Sequence, residues 1–115
     1  MVPAPDESTE LEPERVAEML AEGGQVIDVR ESYEREAGHI AGTRHIELSV
    51  LPAEASTLDR ERPVVFYCRV GNRSAMATDA FRASGMTAYN LRGGITEWVR
   101  RGLPIEPEDG HVAAH

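Results

Sequence analysis

The chain has 115 residues and a mass of 12.6 kDa, which is enough for one domain. Its formal charge of -8 argues against nucleic acid or an anionic membrane as the main partner. No segment approaches the roughly 18 apolar residues of a membrane span, and the acidic start lacks the hydrophobic stretch of a signal peptide.

The chain contains one cysteine, Cys68. A single cysteine excludes a C-x-x-C redox pair, a zinc site built from several cysteines and a disulfide within the chain. Together with the missing signal peptide, it predicts a reducing, cytoplasmic location. The four histidines show no ligand spacing, and the sequence therefore predicts neither a metal nor a cofactor.

The order of predicted elements begins with a polar segment at 1–10, which contains two prolines and three acidic residues and should form a disordered tail. The domain is predicted at 11–107, and a flexible tail at 108–115. Short apolar runs predict strands at 25–29, 63–67 and 86–91. Amphipathic spacing and capping residues predict helices at 13–21, 31–36, 48–58 (as one or two short helices), 74–84 and 95–101. Strands that alternate with helices indicate an α/β fold, with a small, mostly parallel central sheet and helices on both faces.

The segment that follows the strand at 63–67 contains the residues most typical of a reaction site. A strand that ends in a short loop and then opens a helix gathers free backbone N–H groups around the loop. Cys68 is the first residue of this loop, Arg69 and Arg73 add positive charge, and Gly71 lets the backbone turn without a Cβ. This setting favours the thiolate and attracts an anion. The alternative is that Cys68 is a small buried hydrophobic residue, but the neighbouring arginines, glycine and helix start favour a nucleophile.

Four motifs in order resemble the rhodanese family of sulfurtransferases. They are V-I-D-V-R at 26–30, E-A-G-H-I-A-G at 36–42, C-R-V-G-N-R-S at 68–74 and L-R-G-G-I-T-E-W at 91–98. The resemblance covers about residues 11–107. One minor departure is Thr43, where the family more often has alanine.

The resemblance implies a three-layer α/β/α fold and transfer of sulfane sulfur through a persulfide on Cys68. It implies an active loop formed by Cys68, Arg69, Val70, Gly71, Asn72, Arg73 and Ser74. Arg69 and Arg73 are both expected to bind the donor, with loop anchoring as the alternative role of Arg73. Asp28 and Arg30 are expected to form a supporting ion pair, His39 to fix a loop by hydrogen bonding, and Trp98 to lie in the core.

The expected donor is a small anion such as thiosulfate, and the expected acceptor is cyanide, a thiol or a sulfur-trafficking protein. We expect a monomer or a weak dimer that binds neither nucleic acid nor membrane. Two other functions stay open. One is a sulfur-carrying or regulatory module that depends on a partner. The other is a phosphatase or arsenate reductase on the same scaffold, which the six-residue loop disfavours because related phosphatases use a longer C-x5-R loop.

Overall fold

The computed structural model describes residues 9–115 and contains a five-stranded, wholly parallel sheet. The strand order across the sheet is β1-β5-β4-β2-β3. The strands are β1 (Glu10–Leu11), β2 (Gln25–Asp28), β3 (Arg44–His45), β4 (Val64–Tyr67) and β5 (Ala88–Leu91). Because the strands are parallel, their carboxyl ends meet at one edge of the sheet, where ligands bind in open α/β folds.

After β1, four of the helices lie between successive strands, and the fifth follows β5. They are α1 (Pro13–Ala21), α2 (Ser32–Ala37), α3 (Leu51–Glu54), α4 (Asn72–Ala83) and α5 (Gly94–Arg100). Short 3₁₀ turns at Leu48–Val50 and Ala55–Thr57 flank α3, so the predicted helical region at 48–58 consists of three short pieces.

Two apolar cores lie on opposite faces of the sheet. In β4, the side chains of Val64 and Phe66 join the core on the α3 and α4 side, whereas Val65 and Tyr67 join the core on the α1 and α5 side. This alternation follows from the two-residue period of a strand. Cys68 continues this alternation and packs in the core on the α3 and α4 side, called the first core; the core on the α1 and α5 side is the second core. The predicted three-layer α/β/α fold is therefore confirmed.

The start of α4 differs from the sequence prediction. The helix begins at Asn72, and its N-cap is Gly71 with φ 111°, a left-handed conformation that glycine tolerates. The hydroxyl of Ser74, at the start of the helix predicted at 74–84, is typical of an N-cap, but Ser74 is the third residue of the observed helix. Its hydroxyl therefore points at the active loop instead of capping the helix.

Residues 1–8 of the predicted N-terminal tail lie outside the described residues. The remainder of that prediction needs correcting at Glu10, which belongs to β1 and pairs with Asn90 of β5. At the other end, the backbone N–H of His111 donates to the Ala37 carbonyl at 2.9 Å, and Val112 packs against the second core. The mobility of 108–115 stays a prediction. Within 9–115, no helix is long and apolar enough to cross a membrane.

Candidate active site

Cys68 lies at the carboxyl end of β4, and its side chain is buried at 1% exposure. The Gly71 N–H donates to Sγ at 3.1 Å and the Ser74 N–H at 3.5 Å, while the Ser74 hydroxyl oxygen lies 3.3 Å from Sγ. These donors come from the loop and the first turn of α4, where backbone N–H groups have no partners within the helix. They stabilise negative charge on the sulfur. Of the four remaining loop residues, Val70 and Asn72 are exposed.

The first turn of α5 supports the loop from outside. The N–H of Ile95 donates to the Cys68 carbonyl at 3.0 Å, and the N–H of Thr96 donates to the Arg69 carbonyl at 3.1 Å. With these carbonyls satisfied away from the sulfur, the following N–H groups can face it. The contact needs Gly94, because a Cβ there would lie 2.5 Å from the Arg69 oxygen.

Arg73 is bound to a carboxylate that sequence reasoning missed. Its two terminal nitrogens donate to the Glu34 oxygens at 2.8 and 2.9 Å, and the Glu34 side chain is fully buried. Burial alone would raise the pKa of Glu34, but the bonds from Arg73 outweigh it and the pKa lies below its ordinary value. The structure thus places Arg73 as an anchor between α4 and α2, which fits the loop-anchoring alternative. Glu34 also completes the capping box of α2, and its position three residues after Glu31 was the available sequence signal.

Arg69 differs from every other arginine in residues 9–115. The others each donate a side-chain hydrogen bond or form an ion pair, whereas Arg69 does neither in the described part of the chain. Its Nε is buried without an acceptor. A buried donor without a partner is costly, and a bound anion would supply the missing acceptor.

The predicted ion pair between Asp28 and Arg30 is confirmed, with both side chains fully buried and 2.8 Å between charged atoms. Arg30 also donates to the Gly38 carbonyl, which connects the end of β2 to the loop that carries the E-A-G-H-I-A-G motif at 36–42. Burial would raise the pKa of Asp28, but the Arg30 bonds lower it below its ordinary value. The Tyr67 hydroxyl donates to Asp28 at 3.1 Å, and burial together with the Asp28 charge raises the pKa of Tyr67 to about 12.

The other two conspicuous residues behave as expected. His39 Nδ1 lies 3.2 Å from the Arg35 carbonyl, and the His39 backbone pairs with Glu106, so His39 fixes its loop. Trp98 is 3% exposed and its ring N–H donates to the Pro104 carbonyl, so it belongs to the core.

Asn90 is the second residue that sequence reasoning missed. It lies in β5 at 3% exposure, with Oδ1 2.5 Å from the Ser74 hydroxyl and Nδ2 3.1 Å from the Gly71 carbonyl. The signal was an amide side chain within the buried strand A-Y-N-L, because buried polar groups need partners.

A cavity of about 350 Å³ opens beside the loop. Three of its lining residues are charged and three are not: Glu31, Glu47 and Arg73, and Val29, Leu48 and Ser49. It is large enough for a small anion, but two of its lining residues are acidic, and Arg73 is the one active-loop residue among them.

One group of side chains has the composition of a metal site. Ligand atoms of Glu31, Glu34 and His115 lie within 4.8 Å of one another. Glu34, however, already accepts two bonds from Arg73, so a cation here would have to break that ion pair. We therefore assign no metal to this group.

Comparison with known proteins agrees with this geometry. The profile of the Rhodanese-like domain matches residues 12–101. The chain is 32% identical over 103 residues to the thiosulfate sulfurtransferase GlpE of Pseudomonas aeruginosa, covering 89% of this chain and 93% of that one. It is 44% identical over 75 residues to the uncharacterized protein YqhL of Bacillus subtilis, a match that covers 64% of this chain and 60% of YqhL. The crystal structure of a rhodanese-related protein from Thermoplasma volcanium superposes with a TM-score of 0.78 at 30% identity, covering 84% and 96% of the two chains.

These features place the chain among the α/β domains that hold a buried cysteine in a six-residue loop of backbone N–H donors at the carboxyl edge of a parallel sheet. This chain belongs to the rhodanese-like domain family. Membership, together with the relatives named as sulfurtransferases, supports sulfurtransferase activity in general.

Proposed function

We propose that the chain moves sulfane sulfur from a small anionic donor such as thiosulfate to a thiophilic acceptor through a persulfide on Cys68. The observation that carries this proposal is the ring of donors around Sγ, beside an arginine that has no side-chain partner in the described residues. The name of the GlpE relative supports thiosulfate as the donor to test first.

In the first step, the Cys68 thiolate attacks the outer sulfur of thiosulfate. The new bond is Sγ–S, the broken bond joins the two sulfurs of the donor, and sulfite leaves with the electron pair. The loop N–H groups of Gly71 and Ser74 stabilise the negative charge in the site. Arg69 binds the sulfonate oxygens with its planar, forked donors.

In the second step, an acceptor thiolate or cyanide attacks the outer sulfur of the persulfide. The electron pair of the S–S bond returns to Sγ, which regenerates the thiolate, as in other two-stage covalent mechanisms. The cycle requires a reduced Cys68, so the proposal includes a reducing, cytoplasmic compartment and needs neither metal nor cofactor.

The test is a pair of assays on the same protein. Wild type incubated with thiosulfate should gain one sulfur atom on Cys68 by mass spectrometry and should convert cyanide to thiocyanate. Cys68→Ser should do neither, while its thermal unfolding stays close to that of wild type. Hydrolysis of aryl phosphates without sulfur loading would transfer the assignment to the phosphatase alternative.

A second candidate is a carrier module that takes its sulfur from a protein partner. The carboxylates of Glu31 and Glu47 in the lining of the cavity favour it, because they repel a free dianion. Loading by a persulfidated protein, with negligible loading by thiosulfate at millimolar concentration, would select this candidate.

A further inference from the structure

Asn90 has a fixed orientation. Its Nδ2 lies 3.0 Å from Glu10 Oε2 and 3.1 Å from the Gly71 carbonyl oxygen, and both of these oxygens only accept. A flipped amide would place Oδ1 against two acceptors. Oδ1 must therefore face Ser74, where it also can only accept.

The Ser74 hydroxyl lies between two groups that can accept its hydrogen. Its oxygen is 2.5 Å from Asn90 Oδ1 and 3.3 Å from Cys68 Sγ. A hydroxyl carries one hydrogen, and Oδ1 carries none, so the shorter contact takes the hydrogen. When Cys68 is a thiol, its S–H can donate to the Ser74 oxygen, and each member of the chain is satisfied.

The hydrogen bonds available to the Ser74 hydroxyl change when Cys68 loses its proton. A thiolate only accepts, so it competes with Asn90 for the single hydroxyl hydrogen. In a persulfide the negative charge moves to the outer sulfur, and Sγ, now bonded to carbon and sulfur, is a weak acceptor. The competition therefore arises in the free thiolate, while the backbone N–H groups donate throughout.

We infer that Asn90 is a positioning residue that acts through Ser74 and withholds the hydroxyl hydrogen from the Cys68 thiolate. The inference rests on the proposed function, in which this thiolate attacks the donor. A thiolate that is less stabilised is a stronger nucleophile. By leaving the free thiolate less stabilised, Asn90 favours its conversion to the persulfide, and thus the uptake of sulfur.

The first test measures the rate of Cys68 alkylation by iodoacetamide against pH, which requires no sulfur donor. Asn90→Leu keeps the branched shape of the side chain, with two larger methyl groups, and removes the acceptor, so the hydroxyl turns to the thiolate. The midpoint of the profile should fall by about one pH unit, and the rate on the high-pH plateau should fall about threefold.

The charged groups on the loop and on the elements around it are Arg69 and Arg73 from the loop and α4, Glu31 and Glu34 from α2 and its N-cap, and Glu10 from β1. Asn90→Leu leaves the first four in place but removes the bond from Asn90 Nδ2 to Glu10. That loss is the same with and without the Ser74 hydroxyl, so a double-mutant cycle with Ser74 subtracts it. A matched control is Thr78→Val, which removes the bond to the Ser74 carbonyl at 2.8 Å one turn further along α4. That control should lower stability without moving the midpoint or the plateau.

A double-mutant cycle decides whether Asn90 acts through Ser74. In a Ser74→Ala background, Asn90→Leu should leave the midpoint and plateau unchanged, because no hydroxyl hydrogen remains to redirect. Equal shifts in both backgrounds would overturn the inference and assign the effect to packing or to the Gly71 carbonyl. If Asn90→Leu fails to fold, Asn90→Ala provides the same comparison without added bulk.

Sulfur loading is then measured on the same variants. Above the alkylation midpoint, Asn90→Leu should load from thiosulfate about threefold more slowly, with the donor KM unchanged within about twofold. If wild type takes up no sulfur but the alkylation profiles are as expected, the proposed function is wrong and the role of Asn90 still holds. If wild type takes up sulfur normally but the shifts from Asn90→Leu and Ser74→Ala are additive, the proposed function stands and the role of Asn90 is overturned.

Discussion

Arg73 and Glu34 form two parallel hydrogen bonds, 2.8 and 2.9 Å long, that join the start of α4 to α2 beside Cys68. Glu34 is fully buried, while about a fifth of the Arg73 side chain (18%) reaches solvent. Each partner therefore depends on the other to a different degree. The carboxylate has no access to water that could replace the guanidinium.

Removing Arg73 should consequently cost more than neutralising Glu34. Arg73→Ala leaves a buried carboxylate unpaired and should lower the free energy of unfolding by about 3 kcal/mol. Glu34→Gln leaves a partly solvated cation and should cost about 1–2 kcal/mol. Urea unfolding of both variants measures the difference. Equal losses would show that Glu34 does not need its partner, and Arg15→Ala, an exposed arginine on α1, is the control.

The same pair predicts how stability depends on pH. The pKa of Glu34 is lower in the folded protein than in the unfolded chain, where it is about 4.3. Its contribution is thus fully present above the unfolded value and is lost as the pH falls toward the folded pKa. The difference in unfolding free energy between wild type and Glu34→Gln should be constant from pH 6 to 8 and shrink on acidification below about pH 4.3. A difference that grows in acid would contradict the assigned pairing.

Substitutions of Arg69 and Arg73 should change different kinetic constants. Arg69 has no side-chain partner among the described residues, so Arg69→Ala should raise the thiosulfate KM about tenfold or more with a smaller change in kcat. Arg69→Lys should recover only part of the binding, because an ammonium lacks the planar fork. Arg73→Ala should instead lower kcat together with thermal stability. An unchanged KM in Arg69→Ala would show that the backbone N–H groups bind the donor alone.

The sequence was sufficient to predict the layers of the fold and the loop from Cys68 to Arg73. Both depend on local patterns: apolar runs for β2, β4 and β5, and a glycine between strand and helix. The exact start of α4 was not predicted, because Ser74 has good N-cap chemistry while the actual N-cap, Gly71, is selected by its left-handed backbone.

Glu34 and Asn90 could not be placed from the sequence. Glu34 is 39 residues from Arg73 along the chain, and Asn90 is 16 residues from Ser74. Their roles depend on which elements the sheet order makes neighbours. The burial of a charged or amide side chain indicates that it needs a partner, but only the tertiary structure identifies that partner.

The close approach of α5 to the active loop gives a last prediction, at Gly94. Its φ is +63°, and a Cβ would lie 2.5 Å from the Arg69 oxygen and 2.6 Å from the Cys68 oxygen. Gly94→Ala should therefore push the loop away from α5, weaken the bonds from Ile95 and Thr96, and reduce sulfur loading at least about tenfold.

Gly102→Ala is the matched control, because Gly102 has φ +79° but no atom within 4 Å of an added Cβ. Both substitutions carry the backbone strain of a left-handed residue, and both should lower the melting temperature. Only Gly94→Ala adds the collision with the loop. Loading rates from thiosulfate, measured well below both melting temperatures, distinguish the two effects. Equal activity in the two variants would mean that the contact with α5 does not shape the ring of donors around Cys68.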